Sequence, residues 1–145
     1  MMNTKALVVI SFGSTFDETR KLDIGGIEGA LATAFPDYDQ YRAFTSSIIR
    51  KRLAARGILV DDPEAILNKL AAAGYEEILL QPTHLLHGEE FEQKILALKE
   101  HFLPLFKSII ISRPLIVNDE DYQLAVTALL AQLPPLDENE GVIFM

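Results

Sequence analysis

The sequence contains no cysteine and no tryptophan, and three histidines are spread over 145 residues. Without a thiol the chain has no disulfide, no thiolate metal site and no cysteine nucleophile, so any transition metal must be taken by imidazole or carboxylate. No apolar run approaches the roughly 18 residues that a membrane-spanning helix needs. The first apolar run, Ala6 to Ile10, stops almost at once at Gly13 and is too short for the core of a secretory signal, so a cytoplasmic protein is expected. Neither a Walker loop nor the Gly-x-Gly-x-x-Gly dinucleotide fingerprint occurs. Basic residues are also in the minority: the formal charge of −8 excludes a general nucleic-acid surface and leaves no reason to expect a membrane partner. From Gln40 to Val60 that imbalance reverses. This window has no acid and carries Arg42, Arg50, Lys51, Arg52 and Arg56, a patch that could face an anionic ligand or be a solvated helix face paired with acids from elsewhere.

An apolar fraction of 49% in a chain of this length gives one ordinary core. The run Ala6-Leu7-Val8-Val9-Ile10 reads as a strand buried on both faces, hence a central parallel strand. After it, Ser14 or Thr15 can cap a helix whose first turn carries Asp17 and Glu18 and which Phe35-Pro36-Asp37 ends. A second strand is expected over Asp39 to Phe44, followed by a helix capped at Thr45-Ser46 and ended by Gly57. Asp62-Pro63 opens the next helix, which Gly74 stops. A third strand enters at Glu77 and closes at Pro82. The amphipathic stretch from Glu89 to Phe102 precedes a fourth strand, Ser108 to Ser112, and Asn118-Asp119 starts a last helix. Gly141 to Met145 reads as the start of a fifth strand. Strands alternating with helices predict an α/β three-layer sandwich with a mainly parallel sheet and flavodoxin-like topology.

Ligands of such sheets bind beyond the carboxyl ends of the strands. Three loops there carry candidate residues. Ser11-Phe12-Gly13-Ser14-Thr15 offers hydroxyls and backbone N–H groups at a helix start, suited to a carboxylate or phosphate. Phe44-Thr45-Ser46 follows the second strand. The third loop concentrates His84, His87, Glu89 and Glu90 within seven residues, a set a divalent metal could use, although acids there also favour the helix dipole. His101, late in its helix, reads as a surface residue.

Three blocks, Ala-Leu-Val-Val-Ile-Ser-Phe-Gly-Ser-Thr at 6–15, Arg-Ala-Phe-Thr-Ser at 42–46 and His-x-x-x-Gly-Glu-Glu-Phe-Glu at 84–92, together resemble the anaerobic, CbiK-type sirohydrochlorin cobaltochelatases. The resemblance runs over essentially the whole chain and includes Ala-Ala-Ala-Gly-Tyr at 71–75 and the final Val-Ile-Phe-Met. It implies a chelatase-like fold and an ATP-independent lyase that inserts Co2+, and in some cases Fe2+ or Ni2+, into sirohydrochlorin during cobalamin synthesis. The metal is then a substrate, and no resident cofactor is implied. By resemblance Glu90 binds the metal or receives pyrrole protons and His84 is catalytic. Ser11, Phe12, Gly13, Ser14, Arg42, Phe44, Thr45, Ser46, His87 and Gly88 then lie on the tetrapyrrole side. An amide rather than His87 is the family's usual residue at that place.

Family members comprise two facing α/β domains, with one metal-binding histidine just after the Val-Ile-Phe-Met strand and another in the second domain. Residues 1–145 are thus expected to be the N-terminal chelatase domain, with the C-terminal domain absent, little activity alone and a possible tendency to form homo-oligomers. The alternative left open is a flavodoxin-like domain that binds a flavin phosphate or other small ligand through the Ser-Phe-Gly-Ser-Thr loop. A receiver-like domain is disfavoured, because strand one is not followed by paired acids.

Overall fold

The computed structural model describes residues 3–143. Strand β1, Lys5–Ser11, buries every residue from Ala6 to Ser11, as expected of a strand covered on both faces. β2, Asp39–Phe44, and β3, Glu77–Pro82, flank it, and β4, Ser108–Ile111, lies beyond β3. The order is β2-β1-β3-β4 and each neighbouring pair is parallel. In register, Val8 stands between Tyr41 and Leu80, and Leu79 pairs with Ile110.

Helix α1 spans 17–34, with one π-helical stretch, Arg20–Ile24, between Asp17–Thr19 and Gly25–Ala34. Neither Ser14 nor Thr15 caps it. Instead Phe16 precedes the first turn, and its N–H donates to Ser14 Oγ at 3.1 Å, which closes a short turn before the helix begins. α2 is Ser47–Ala54, capped by Ser46, whose hydroxyl accepts from Ile49 N–H; Gly57 at φ +78° ends the segment. α3, Pro63–Ala72, starts with Asp62 accepting from Ala65 N–H at 2.7 Å and Pro63 in the first turn. α4 covers 89–105 and contains a second π stretch, Glu92–Leu96, before Ala97–Phe102 and a closing 3-10 turn, Leu103–Leu105. α5, Asp119–Leu130, is capped by Asn118 and buries none of its residues.

The two faces of the sheet are unequal. Ala6, Val8, Ile10, Ile78, Leu80 and Ile109 pack against Ile66, Leu67 and Leu70 of α3 and Phe91, Ile95, Leu98 and Phe102 of α4. On the other face Leu7, Val9 and Leu79 meet Leu31, Phe35 and Tyr38, and Ile110 stays 58% exposed. The fifth strand expected from 141 onward differs: Gly141 to Ile143 have no strand pairing, Ile143 is exposed, and the last two residues of that segment lie outside the described ones. A strand needs a partner edge and a covering face to bury such side chains, and here they have neither. Among the described residues no helix is long and apolar enough to cross a membrane.

Candidate functional site

Past the ends of β1, β2 and β3 the backbone continues to bond from strand to strand, which draws the three loops together. Thr45 N–H donates to Ser11 O at 2.9 Å and Ser46 N–H to Phe12 O at 3.2 Å; on the other side Thr83 N–H donates to Ile10 O at 2.9 Å. Thr83 Oγ1 is also 3.1 Å from the buried Ser11 hydroxyl. Gly13 adopts φ +105°, and a Cβ there would stand 2.7 Å from Cδ2 of the fully buried Phe44. Glycine is required at that turn by both backbone angle and contact.

Three of the candidate side chains meet at this rim. Thr45 Oγ1 donates to Glu90 Oε1 at 2.6 Å, and His84 Nε2 lies 3.3 Å from the same oxygen. The Glu90 side chain keeps 36% of its exposure and that of His84 only 14%. Both ring nitrogens of His84 are out of contact with solvent, and neither makes a well-formed hydrogen bond within the chain. A buried polar group left in that condition costs stability, and such groups concentrate where a ligand completes them. The pair stands between two open depressions. Glu90, with Phe12, Thr45, Ser46 and Lys94, lines one of about 390 Å³; His84, with Gln81, Thr83, Ser112, Arg113 and Leu115, lines one of about 580 Å³.

Other expected site residues are differently employed. Arg42 is gripped by Glu28 through contacts of 2.6–3.2 Å, lies over the Phe44 ring and has about a third of its side chain exposed, so only its remaining donors are open to a ligand. His87 pairs with Glu92 at 3.1 Å and its ring meets that of Phe91 at a tilt of 58°, apart from the Glu90 oxygen that His84 approaches. Gly88 precedes α4, and a side chain there would meet nothing within 4 Å. Ser14 Oγ accepts from Phe16 N–H, which leaves its O–H free to donate. The basic window is likewise partly neutralised: Arg50 approaches Asp62 at 3.7 Å, and Arg56 holds Asp17 at 2.7 Å and Thr15 O at 2.6 Å. Only Lys51 and Arg52 of that window make no ion pair among the described residues.

Residues the sequence did not single out complete the frame. Buried Arg20 donates to Ser14 O at 3.0 Å and pairs with Asp17, so two arginines brace the first loop and hold the Asp17 carboxyl below the usual range, Arg20 foremost and Arg56 next. Thr83 joins the loops through Ser11, and Arg113 stands beside His84. Among the described residues no group of three or more histidine or acidic side chains is arranged to hold a metal ion. The His84–Glu90 pair is a two-donor arrangement, which can touch a divalent ion without enclosing it.

Comparison with known proteins gives a consistent picture. A family described as cobalt chelatase (CbiK) matches residues 5–145. A sirohydrochlorin cobaltochelatase of Salmonella typhimurium is 40% identical over 142 residues, covering 97% of this chain and 53% of that protein. The sirohydrochlorin cobaltochelatase CbiKC of Nitratidesulfovibrio vulgaris is 28% identical over 149 residues, covering 99% and 51%. This chain therefore spans about half the length of the curated relatives it matches. A solved structure of a cobalamin (vitamin B12) biosynthesis CbiX protein from Marinobacter aquaeolei VT8 superposes with a TM-score of 0.53 at 14% identity, over 88% of this chain and 95% of that one, and so shares the fold.

Proposed function

Since the chain belongs to the CbiK cobalt chelatase family, we propose that it forms one wall of a sirohydrochlorin cobaltochelatase, an ATP-independent lyase that places Co2+ in a tetrapyrrole in the cytoplasm. The observation that carries this reading is the meeting of Thr45, Glu90 and His84 on one carboxylate oxygen at the carboxyl rim of the sheet. Metal insertion needs a group that holds a divalent ion loosely and bases that accept two pyrrole protons as ring nitrogens replace the ion's other ligands. The Glu90 carboxylate can hold the ion and take one of the two protons; the other passes to a second base, the adjacent His84 imidazole or water. Glu90 Oε1 is steadied by the Thr45 hydroxyl, and the His84 ring supplies a second donor with no competing hydrogen bond.

The remaining donors and the facing wall would come from the half of the relatives' length that this chain does not span, or from a second copy. Co2+ is the proposed metal, with Fe2+ or Ni2+ as possible replacements, and no resident cofactor takes part. The flavin-phosphate alternative gains no support from the first loop beyond its sequence, and one of the N–H donors there, that of Phe16, is already given to the Ser14 hydroxyl.

Anaerobic titration with sirohydrochlorin, followed by its absorbance and then by addition of Co2+, tests the proposal. The expected result is saturable binding of the tetrapyrrole with cobalt insertion far slower than that of the Salmonella relative. No binding would overturn the chelatase reading; insertion as fast as that relative's would overturn the one-wall part of it.

A further inference from the structure

We propose that Arg113 is a specificity-determining residue that receives a carboxylate side arm of the tetrapyrrole in the depression beside His84. This rests on the chelatase reading above and assigns a residue to the substrate's periphery rather than to its metal.

The segment that carries Arg113 is fixed at the rim by the backbone. Ser112 N–H donates to Leu80 O at 2.9 Å and extends the β4 ladder, while Leu115 N–H and Ile116 N–H donate to His84 O at 3.0 Å and Leu85 O at 2.8 Å. Residues 112–116 therefore run beside the loop that carries His84, and Arg113 is held within reach of the reacting centre. The guanidinium is also held in one orientation. Nη2 donates to Asp121 Oδ1 at 3.0 Å and Nη1 pairs with Oδ2, a two-point fork on a carboxylate whose side chain is only 10% exposed. Asp121 is itself tied by Val117 N–H and by Asn118 at the start of α5.

A guanidinium carries five N–H donors, and this fork uses two. The Arg113 side chain remains 60% exposed and lines the 580 Å³ depression. The lining contains no carboxylate, and Gln81, Thr83 and Ser112 add polar groups among Ile27, Pro82, Pro114 and Leu115. The acids that face Arg113 are Asp121 and, through space, Glu120. An apolar wall with one preoriented guanidinium suits the edge of a flat macrocycle bearing a carboxylate, because Arg binds carboxylate through paired, charge-assisted bonds. The other depression, beside Glu90, combines Lys94 with Glu89 and Glu90 and is less suited to an anion.

The experiment is an anaerobic sirohydrochlorin titration of the 145-residue chain, its Arg113→Gln, Arg113→Lys and Leu115→Glu variants, with thermal melting recorded for each. Arg113→Gln is expected to raise Kd about tenfold, the loss typical of one charge-assisted contact, and Arg113→Lys to recover part of it. Leu115→Glu changes an exposed side chain and leaves the Asp121 fork intact, so it tests the same depression without threatening the fold. Its acid is expected to weaken binding by a similar factor. Wild-type Kd in folded Arg113→Gln, or in Leu115→Glu, overturns the assignment of Arg113 alone. Absence of binding by the unaltered chain overturns the chelatase reading and this inference with it.

Discussion

Replacing Gly13 by alanine perturbs the turn on which the first loop depends. Two costs add. At φ +105° an L side chain is strained, which is worth about 1–2 kcal/mol. The new methyl would also stand 2.7 Å from Cδ2 and 2.8 Å from Cγ of Phe44. That ring is fully buried, so it cannot swing into solvent. Overpacking of this kind costs about 1–3 kcal/mol. The sum, about 2–5 kcal/mol, corresponds to a fall in Tm on the order of 10 °C for a domain of this size. Helical Gly26 provides the opposite case, since a Cβ there meets nothing within 4 Å and its φ is ordinary. Gly26→Ala is expected to stabilise by about 0.5–1 kcal/mol. Thermal melts of the two variants followed by circular dichroism decide the matter. A Gly13→Ala protein that melts with the parent would refute both the turn geometry and its contact with Phe44.

Phe102→Ala, which empties a side chain 1% exposed between α4 and the sheet, is expected to cost about 3–5 kcal/mol in denaturant unfolding; a loss under 1 kcal/mol would mean that α4 is not packed as described. The Asp17 carboxyl is held below its ordinary value by Arg20 and Arg56, so its contribution is fully present above an unfolded pKa of about 4 and is lost as pH falls through the lower folded value. An NMR titration of Asp17 in the folded chain should therefore show a midpoint below that of a model peptide, and Arg56→Gln should raise it. A midpoint unmoved by Arg56→Gln would remove the second arginine from the brace on the first loop. Thr45→Val is expected to leave the fold intact and to free the Glu90 carboxylate, seen as faster side-chain motion and weaker cobalt-dependent spectral change; unchanged Glu90 dynamics would deny that the hydroxyl positions it.

The fold was legible where the signal is local. The apolar run of β1, the Asp62-Pro63 start of α3, the Asn118 cap of α5 and the glycine stops at 57 and 74 each act within a few residues, and each stands where the sequence puts it. The site was legible as loops at strand ends, since a parallel sheet brings such loops to one rim whatever their sequence separation. Pairings across the chain were not. The acid-free window from Gln40 to Val60 left open an anion-facing patch or a face paired with acids from elsewhere; Glu28, Asp62 and Asp17 reach Arg42, Arg50 and Arg56 from 12 to 39 positions away, and no local pattern encodes that. Thr83 and Arg113 were passed over for a related reason: a single hydroxyl or guanidinium in an aperiodic stretch acquires meaning only from its neighbours in space. The π stretches in α1 and α4 leave no mark in the apolar spacing.

Whether the carboxyl rim is where the tetrapyrrole sits is tested most directly by titrating the 15N-labelled chain with sirohydrochlorin and mapping the amide shifts. The expected shifts fall on Ser11 to Thr15, Thr45, Ser46 and Thr83 to Glu90. Shifts confined to the opposite rim, at Thr4, Glu76 and Lys107, would contradict the account.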